Sequence, residues 1–369
     1  MSNISVNTIT DASGGSTASI NGLTPQASNM QPFNRIINGA MTIDQRNAGA
    51  ATANTINGYT LDRWAVAQST TGKLIVQQNA GSITPPVGFS QYLGITSQSA
   101  YSVLSGDYYW LHQTIEGYNM ADFNWGTANG VSVILSFWVR SSLAGSFGGS
   151  FRNSDGSQQI TYSYTINSAN TWEYKTITIP APTNGSSWNS TNAHGVQIVL
   201  GLGFGSTYGS GTAGSWSSNT SYVPSGSVSV VGTSGATFYI TGVQLEAGST
   251  ASPFAHENYA DTLRKCRRYL PAYNGLNTFG ACTTYTTNTG WCPILFDTPT
   301  RVAPTSISIS SAAHFNVVNA GAPSAITIQS VGLGTNGAIL VPTVAGISGT
   351  NSFYSTSALA QILFNGCEL

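Results

Sequence analysis

Only one stretch of this chain, residues 257–270, repeats its apolar residues with the period of an α-helix, and this restricts the fold classes open to it. Tyr259, Leu263, Cys266 and Leu270 fall on one helical face, Asn258 followed by Asp261 supplies a polar start, and Pro271 ends the run. The other apolar stretches alternate with polar residues or form short continuous runs, the two patterns of β-strands. Strands are expected at 33–41, 58–66, 73–79, 108–115, 131–140, 159–166, 173–179, 196–202, 227–231 and 237–245. The run 131–140 is almost continuously apolar, as in a central strand buried on both faces, whereas 174–179 alternates like a half-exposed one. So many strands without intervening helices predict an all-β protein, a jelly-roll β-sandwich in residues 32–256. Beyond the helix, 271–369 begins a second composition, with alternating runs at 306–310, 315–318 and 325–329 and a terminal strand, which predicts a smaller C-terminal β-sandwich.

Composition narrows the function classes. Charged residues are 7% of the chain, so hydroxyls and amides must wet its surface. Disorder is excluded by 17 Tyr, 14 Phe and 8 Trp among repeated Val, Ile and Thr. A net charge of −1 leaves no basic face for nucleic acid, and the cluster Arg264 to Arg268 reads as a helix face paired with Glu257 and Asp261. No window is long and apolar enough for a transmembrane helix, so no membrane insertion is expected. Residues 1–30 lack the basic start and apolar middle of a secretion signal, which predicts synthesis in a cytoplasm. Cys282 and Cys292 are spaced to meet across a hairpin, yet a cytoplasm would keep them reduced. Residues 1–31 are too polar to fold alone and read as an attachment arm that gains order on another surface.

Five stretches, taken in order, resemble a known module: Asn34-Arg-Ile-Ile-Asn-Gly-Ala-Met41, Tyr59-Thr-Leu-Asp-Arg-Trp64, Leu135-Ser-Phe-Trp-Val-Arg-Ser-Ser142, Ala169-Asn-Thr-Trp-Glu-Tyr174 and Val243-Gln-Leu-Glu-Ala-Gly248. They are similar to the jelly roll of tail fibres and other virion structural proteins of tailed bacteriophages, a module itself similar to carbohydrate-binding modules. The run Pro299-Thr-Arg-Val-Ala-Pro-Thr-Ser-Ile307 and the final Glu-Leu resemble the domain that follows this module in phage fibres. The resemblance implies a trimeric, non-catalytic virion protein, joined to other virion proteins by its N-terminal arm and binding host cell-surface glycan. It also implies a structural calcium ion near the meeting of the first and last strands, with Asp62 and Glu246 as candidate ligands. No other cofactor is implied.

Catalytic motifs are absent. Of the 13 acidic residues, Asp44, Asp62, Asp107, Glu116, Asp122, Asp155, Glu173 and Glu246 are scattered singly beside turn residues or aromatics, there is no G-x-S-x-G elbow, and the four histidines lack zinc spacing. The glycine runs 201–205 and 209–214 precede no helix, so they read as surface loops rather than phosphate cradles. What remains is aromatic. Tyr109, Trp110, Trp125, Trp188, Tyr208 and Trp216 lie in or near polar Gly/Ser/Asn stretches, and flat rings among hydroxyls and amides fit stacking on sugars. Two readings stand: a tail fibre mediating host adsorption, and a capsid decoration or head-fibre protein. In a trimer the stripe Tyr259, Leu263, Cys266 and Leu270 would pack around the axis with Arg264 and Arg268 outward.

Overall fold

A computed structural model describes residues 34–369 apart from 54, 184, 186, 219 and 329–333. The expected arm, residues 1–31, lies outside the described residues. The first sandwich is built from β1 (Gly58–Tyr59), β2 (Ala65–Gln68), β3 (Leu74–Gln78), β4 (Leu93–Ser97), β5 (Tyr108–Glu116), β6 (Val133–Ser141), β7 (Gly145–Arg152), β8 (Gln159–Ile166), β9 (Glu173–Ile179), β10 (His194–Phe204), β11 (Trp216–Ser217) and β12 (Thr237–Ala247). They form a seven-stranded sheet, β1-β2-β5-β10-β7-β8-β11, and a five-stranded sheet, β3-β4-β12-β6-β9, paired antiparallel throughout. This is the jelly-roll β-sandwich. Alternate residues of each strand fill its core: Tyr109, Leu111 and Ile115 of β5 meet Leu135, Phe137 and Val139 of β6 in one cluster. Nearly continuous burial of β6 follows from its place between β12 and β9, while β9, at the sheet edge, alternates with solvent.

The quoted motifs converge in space. Stretch 34–41, expected as a strand, instead makes turns, with Asn38 and Met41 at positive φ. The reason is a side-chain knot. Asn34 donates Nδ2 to Val243 O and accepts from the N–H groups of Ile36 and Leu245. Asn38 binds the carbonyls of Ile43 and Asp62 and, through its own carbonyl, the Trp64 indole. A Cβ on Gly39 would come within 2.1 Å of Val243 O, so only glycine fits beneath β12.

Strand β7 was not legible in sequence because of its glycines, whose need is tertiary: a Cβ on Gly149 would stand 2.0 Å from Val199 O, and one on Gly148 2.5 Å from Pro224 Cδ. Strand β4, Leu93–Ser97, likewise lies outside the strands expected from sequence. Residues 227–231 form no strand; Val230 and Val231 are buried with both N–H groups on Leu202 O. The run 201–205 is not a free surface loop. Gly201 and Gly203 belong to β10 and flank a bulge, where Gly201 leaves room for Val223.

Helix α1 (Tyr259–Arg267) starts at Asn258, whose Oδ1 accepts from Ala260 N at 3.0 Å. It leads into a smaller sandwich of β13 (Ala272–Asn274), β14 (Thr278–Thr286), β15 (Thr289–Leu295), β16 (Ser306–Ile309), β17 (Phe315–Val317), β18 (Ala325–Ile328), β19 (Gly337–Thr343), β20 (Thr350–Ser355) and β21 (Gln361–Asn365). Its sheets are β13-β21-β16 and β17-β20-β14-β15-β19-β18, around a separate core that includes Phe315, Phe353, Ile362 and Phe364. Strands β19 and β20 were not expected from sequence. Cys282 and Cys292 are joined across the β14–β15 hairpin, contrary to the expectation of free thiols; the register Thr283 to Trp291 sets them opposite each other.

The helix stripe does not form as expected for a trimer axis. Cys266 and Leu270 are sealed within the same chain, Leu270 packing with Ala272 and Leu363, while Leu263 is half-buried and Tyr259 is 61% exposed. Arg264 does point outward, but Arg268 turns inward to Glu116. Around this joint the two sandwiches share a charged clamp. Arg46 and Arg63 bind Glu368, Arg267 binds Asp297, and Arg268 and Tyr269 bind Glu116. Arg63, 1% exposed, also donates to Thr114 O and lies 3.6 Å over the Tyr269 ring.

Candidate functional site: an aromatic face on the seven-stranded sheet

Because successive strand residues point to opposite faces, Tyr109 and Trp110 cannot both meet a ligand. Tyr109 is fully buried in the core, which removes it from the candidates. Trp110 lies on the outer face with Tyr108 and His112. Its neighbours in register are Ala67 of β2 and Gly201 of β10, small residues that leave room for rings. The described part of segment 205–228 then folds back across the face, tied by Gly214 N to Thr161 O and Val228 N to Ser146 O, and it lays Tyr208 and Tyr222 there.

The result is a ring stack. Trp110 lies parallel to Tyr108 at 4.7 Å, to Tyr222 at 4.6 Å and to Phe204 at 5.7 Å between centroids. Tyr208 meets Tyr108 and Tyr222 edge-on at 5.8 and 5.6 Å. Trp110 is nearly covered at 9%, while Tyr108, Phe204, Tyr208 and Tyr222 are half-buried and present ring surface. An adjoining cavity of about 60 Å³ beside Phe204 is too small for a sugar ring, so a ligand would lie on the rings rather than in a hole.

Polar groups border the stack. Trp110 donates Nε1 to His112 Nδ1 at 3.0 Å, which fixes that imidazole nitrogen as an acceptor. Arg152, at the end of β7, donates Nη1 to the Tyr222 hydroxyl and sets its guanidinium 4.7 Å over that ring. Burial, then the positive surroundings of His194, Arg63 and Arg152, pushes His112 down to about 3; burial and Arg152 push His194 down to about 4. Both imidazoles are therefore neutral at pH 7. Arg152 carries no signal in the sequence and the spacing of His112 and His194 suggests no site, although the period of β5 places Tyr108, Trp110 and His112 on one face.

The remaining aromatic candidates meet one another in a separate group. Trp125, 5% exposed, meets Trp188 at 4.8 Å and Trp216 at 5.5 Å, all edge-on, and donates Nε1 to Val131 O. Trp216 donates to Pro180 O, and with Trp188 it packs against the core that Trp125 belongs to. Burial of Trp125 in the core removes it as a ligand contact, while Trp188 and Trp216 stay half-buried. Asp62 and Glu246, the expected calcium ligands, are both held in hydrogen bonds to neighbouring side chains. Asp62 is buried, accepts from Gln45 N and Nε2, and is pushed up to about 6 by burial against the pull of Arg46 and Gln45. Glu246 accepts from Ser252 N and Oγ and from Gln244 Nε2. Among the described residues no three His, Cys, Asp or Glu side chains gather as a metal-holding group. A groove of about 240 Å³ lies at the helix joint beside the exposed Tyr118, but its cations Arg35, Lys265 and Arg268 are each paired with a carboxylate.

Neither a protein-family model nor a curated protein matches the chain. Among solved structures, it is similar to the enzymatically active domain of bacteriophage CBA120 tailspike protein 4, with TM-score 0.32 and 14% identity over 58% of this chain and 21% of that one. A putative sugar binding protein from Bacteroides thetaiotaomicron aligns with TM-score 0.34 and 12% identity over 58% of this chain and 100% of the other. The family 11 carbohydrate-binding module from Clostridium thermocellum, in complex with a β-1,3-1,4-mixed-linked tetrasaccharide, aligns with TM-score 0.27 and 9% identity over 55% of this chain and 96% of the module. At such scores the functional reading rests on this chain's own side chains.

Proposed function

We propose that this chain is a non-enzymatic virion protein of a tailed bacteriophage, a homotrimeric tail fibre that adheres to host cell-surface glycan through the ring stack of its seven-stranded sheet. The observation that carries the binding claim is the placement of Tyr108, Phe204, Tyr208 and Tyr222. The jelly-roll core is filled from the other face of the sheet, so packing gives no reason for four half-exposed rings here. Sugar C–H faces stack on such rings while amides and a guanidinium meet the hydroxyls. The non-enzymatic reading is supported by Glu116, the carboxylate of β5 on this face, which Arg268 and Tyr269 hold in hydrogen bonds at 2.5–2.9 Å. The virion reading is supported by the five motifs of the jelly roll.

Self-association is supported by the second sandwich. Its charged side chains are Asp297, Arg301 and Glu368; Asp297 pairs with Arg267 of the helix, and the other two meet the first sandwich. The six-stranded sheet presents Tyr285 stacked on Trp291, and Leu295 at 83% exposure, without a charge. The binding claim is tested by probing an array of bacterial surface glycans with the full chain and with Tyr208→Ala. A bound glycan should weaken about five- to tenfold in the variant, the worth of one stacked ring. A parent protein that binds no glycan would overturn the reading.

A further inference from the structure

Cations are scarce in this chain, and the structure neutralises most of them. Arg35, Arg46, Arg63, Arg264, Arg267 and Arg268 each meet a carboxylate. Arg301 meets the carbonyls of Asn192, Cys367 and Glu368. Arg140, on the other sheet, gives Nε to Asn170 O over the buried ring of Tyr239. Arg152 differs. Its guanidinium donates to the Tyr222 hydroxyl, its Nε is buried without a partner, and no carboxylate among the described residues lies within ion-pair reach of it. Gly156 in the β7–β8 turn lets it lie there, since a Cβ at that position would come within 2.5 Å of Nη2.

The surroundings supply donors and acceptors, and the carboxylate that β5 places on this face, Glu116, is already held by Arg268 and Tyr269. Gln197 of β10 pairs in register with both Thr114 and Arg152, and Val199 with both His112 and Ser150, so these polar side chains occupy two adjacent rows across three strands. Ser150 Oγ and His194 Nε2 are also buried and unpartnered among the described residues. A half-buried guanidinium left without an anion is unfavourable by itself, and its planar fork matches a carboxylate in two parallel hydrogen bonds.

Resting on the glycan-binding reading above, we infer that the ligand of this face is an anionic glycan, a saccharide bearing a uronic acid or other carboxylate, and that Arg152 recognises that charge while the rings hold the neighbouring sugar. The test presents the full chain with an array of uronic-acid oligosaccharides, each printed beside its carboxyl methyl ester, so that ring and linkage stay the same and only the charge is removed. Binding to at least one acid should fall about tenfold or more on esterification, as expected for one charge-assisted contact, and should weaken as salt is raised. Arg152→Gln should bind acid and ester alike, with an unchanged thermal unfolding midpoint showing that the fold is intact; Tyr208→Ala should weaken both. Equal binding of acid and ester by the parent, or discrimination that survives in Arg152→Gln or Arg152→Ala, overturns the charge assignment and leaves glycan binding standing. Binding to no saccharide, neutral or acidic, overturns both.

Discussion

On β5, a step of one residue separates core from surface: Tyr109 lies in the hydrophobic cluster and Trp110 in the outer ring stack. His112, two residues further on, shares the outer face, and its neutrality has a consequence for stability. An imidazole whose folded pKa lies below its unfolded value of about 6.5 binds a proton less readily when folded. Its contribution is therefore present above about pH 6.5 and is lost as pH falls toward the folded values of about 3 for His112 and about 4 for His194. His112→Gln keeps an acceptor for the Trp110 indole and removes one of the two groups. Its urea midpoint should fall less steeply than the parent's between pH 6.5 and 4; parallel profiles would show that His112 does not contribute to acid lability.

Elements were readable where local chemistry suffices. Helix α1 follows its cap and its periodicity, but the partner of its apolar stripe is a tertiary fact: Cys266 and Leu270 are covered by the same chain. Leu263 lies only at the margin of that contact, so Leu263→Asp is expected to leave both the jelly roll and the subunit count unchanged. Light scattering of the full-length parent and variant should give three copies in each. A monomeric variant would restore the helix as the assembly element, and a monomeric parent would remove the trimer itself. The hairpin β14–β15 makes a similar point. Spacing showed that Cys282 and Cys292 were able to meet, and the cross-strand register placed them in contact.

For the whole molecule, the clamp at the helix joint decides how the sandwiches behave. Glu368 neutralises both Arg46 and Arg63, and Arg63 is almost completely buried. Removing one partner of such a set leaves buried charge uncompensated, at a cost of about 3–5 kcal/mol. Glu368→Ala should therefore lower stability by about that amount and split a shared calorimetric transition into two, one for each core. An unchanged single transition would mean that the remaining contacts between the sandwiches, among them those of Arg268 and Tyr269 with Glu116 and of Arg301 with Asn192, suffice to couple them.

The sequence by itself determined the all-β class, the helix with its cap and its end, and most long strands, because alternation and capping are local and leave a local trace. It also held the motif residues Asn34, Asn38, Gly39, Asp62 and Trp64, though not their purpose. Their hydrogen bonds reach from 34 to 245, and Gly39 is required by a carbonyl of β12. Three decisions belonged to tertiary structure alone. Packing sent Tyr109 and Trp125 inward, the return of segment 205–228 assembled Tyr208 and Tyr222 on Trp110, and that return brought a ring, but no carboxylate, to Arg152. Each depends on residues far apart in the chain, whose proximity no local period encodes.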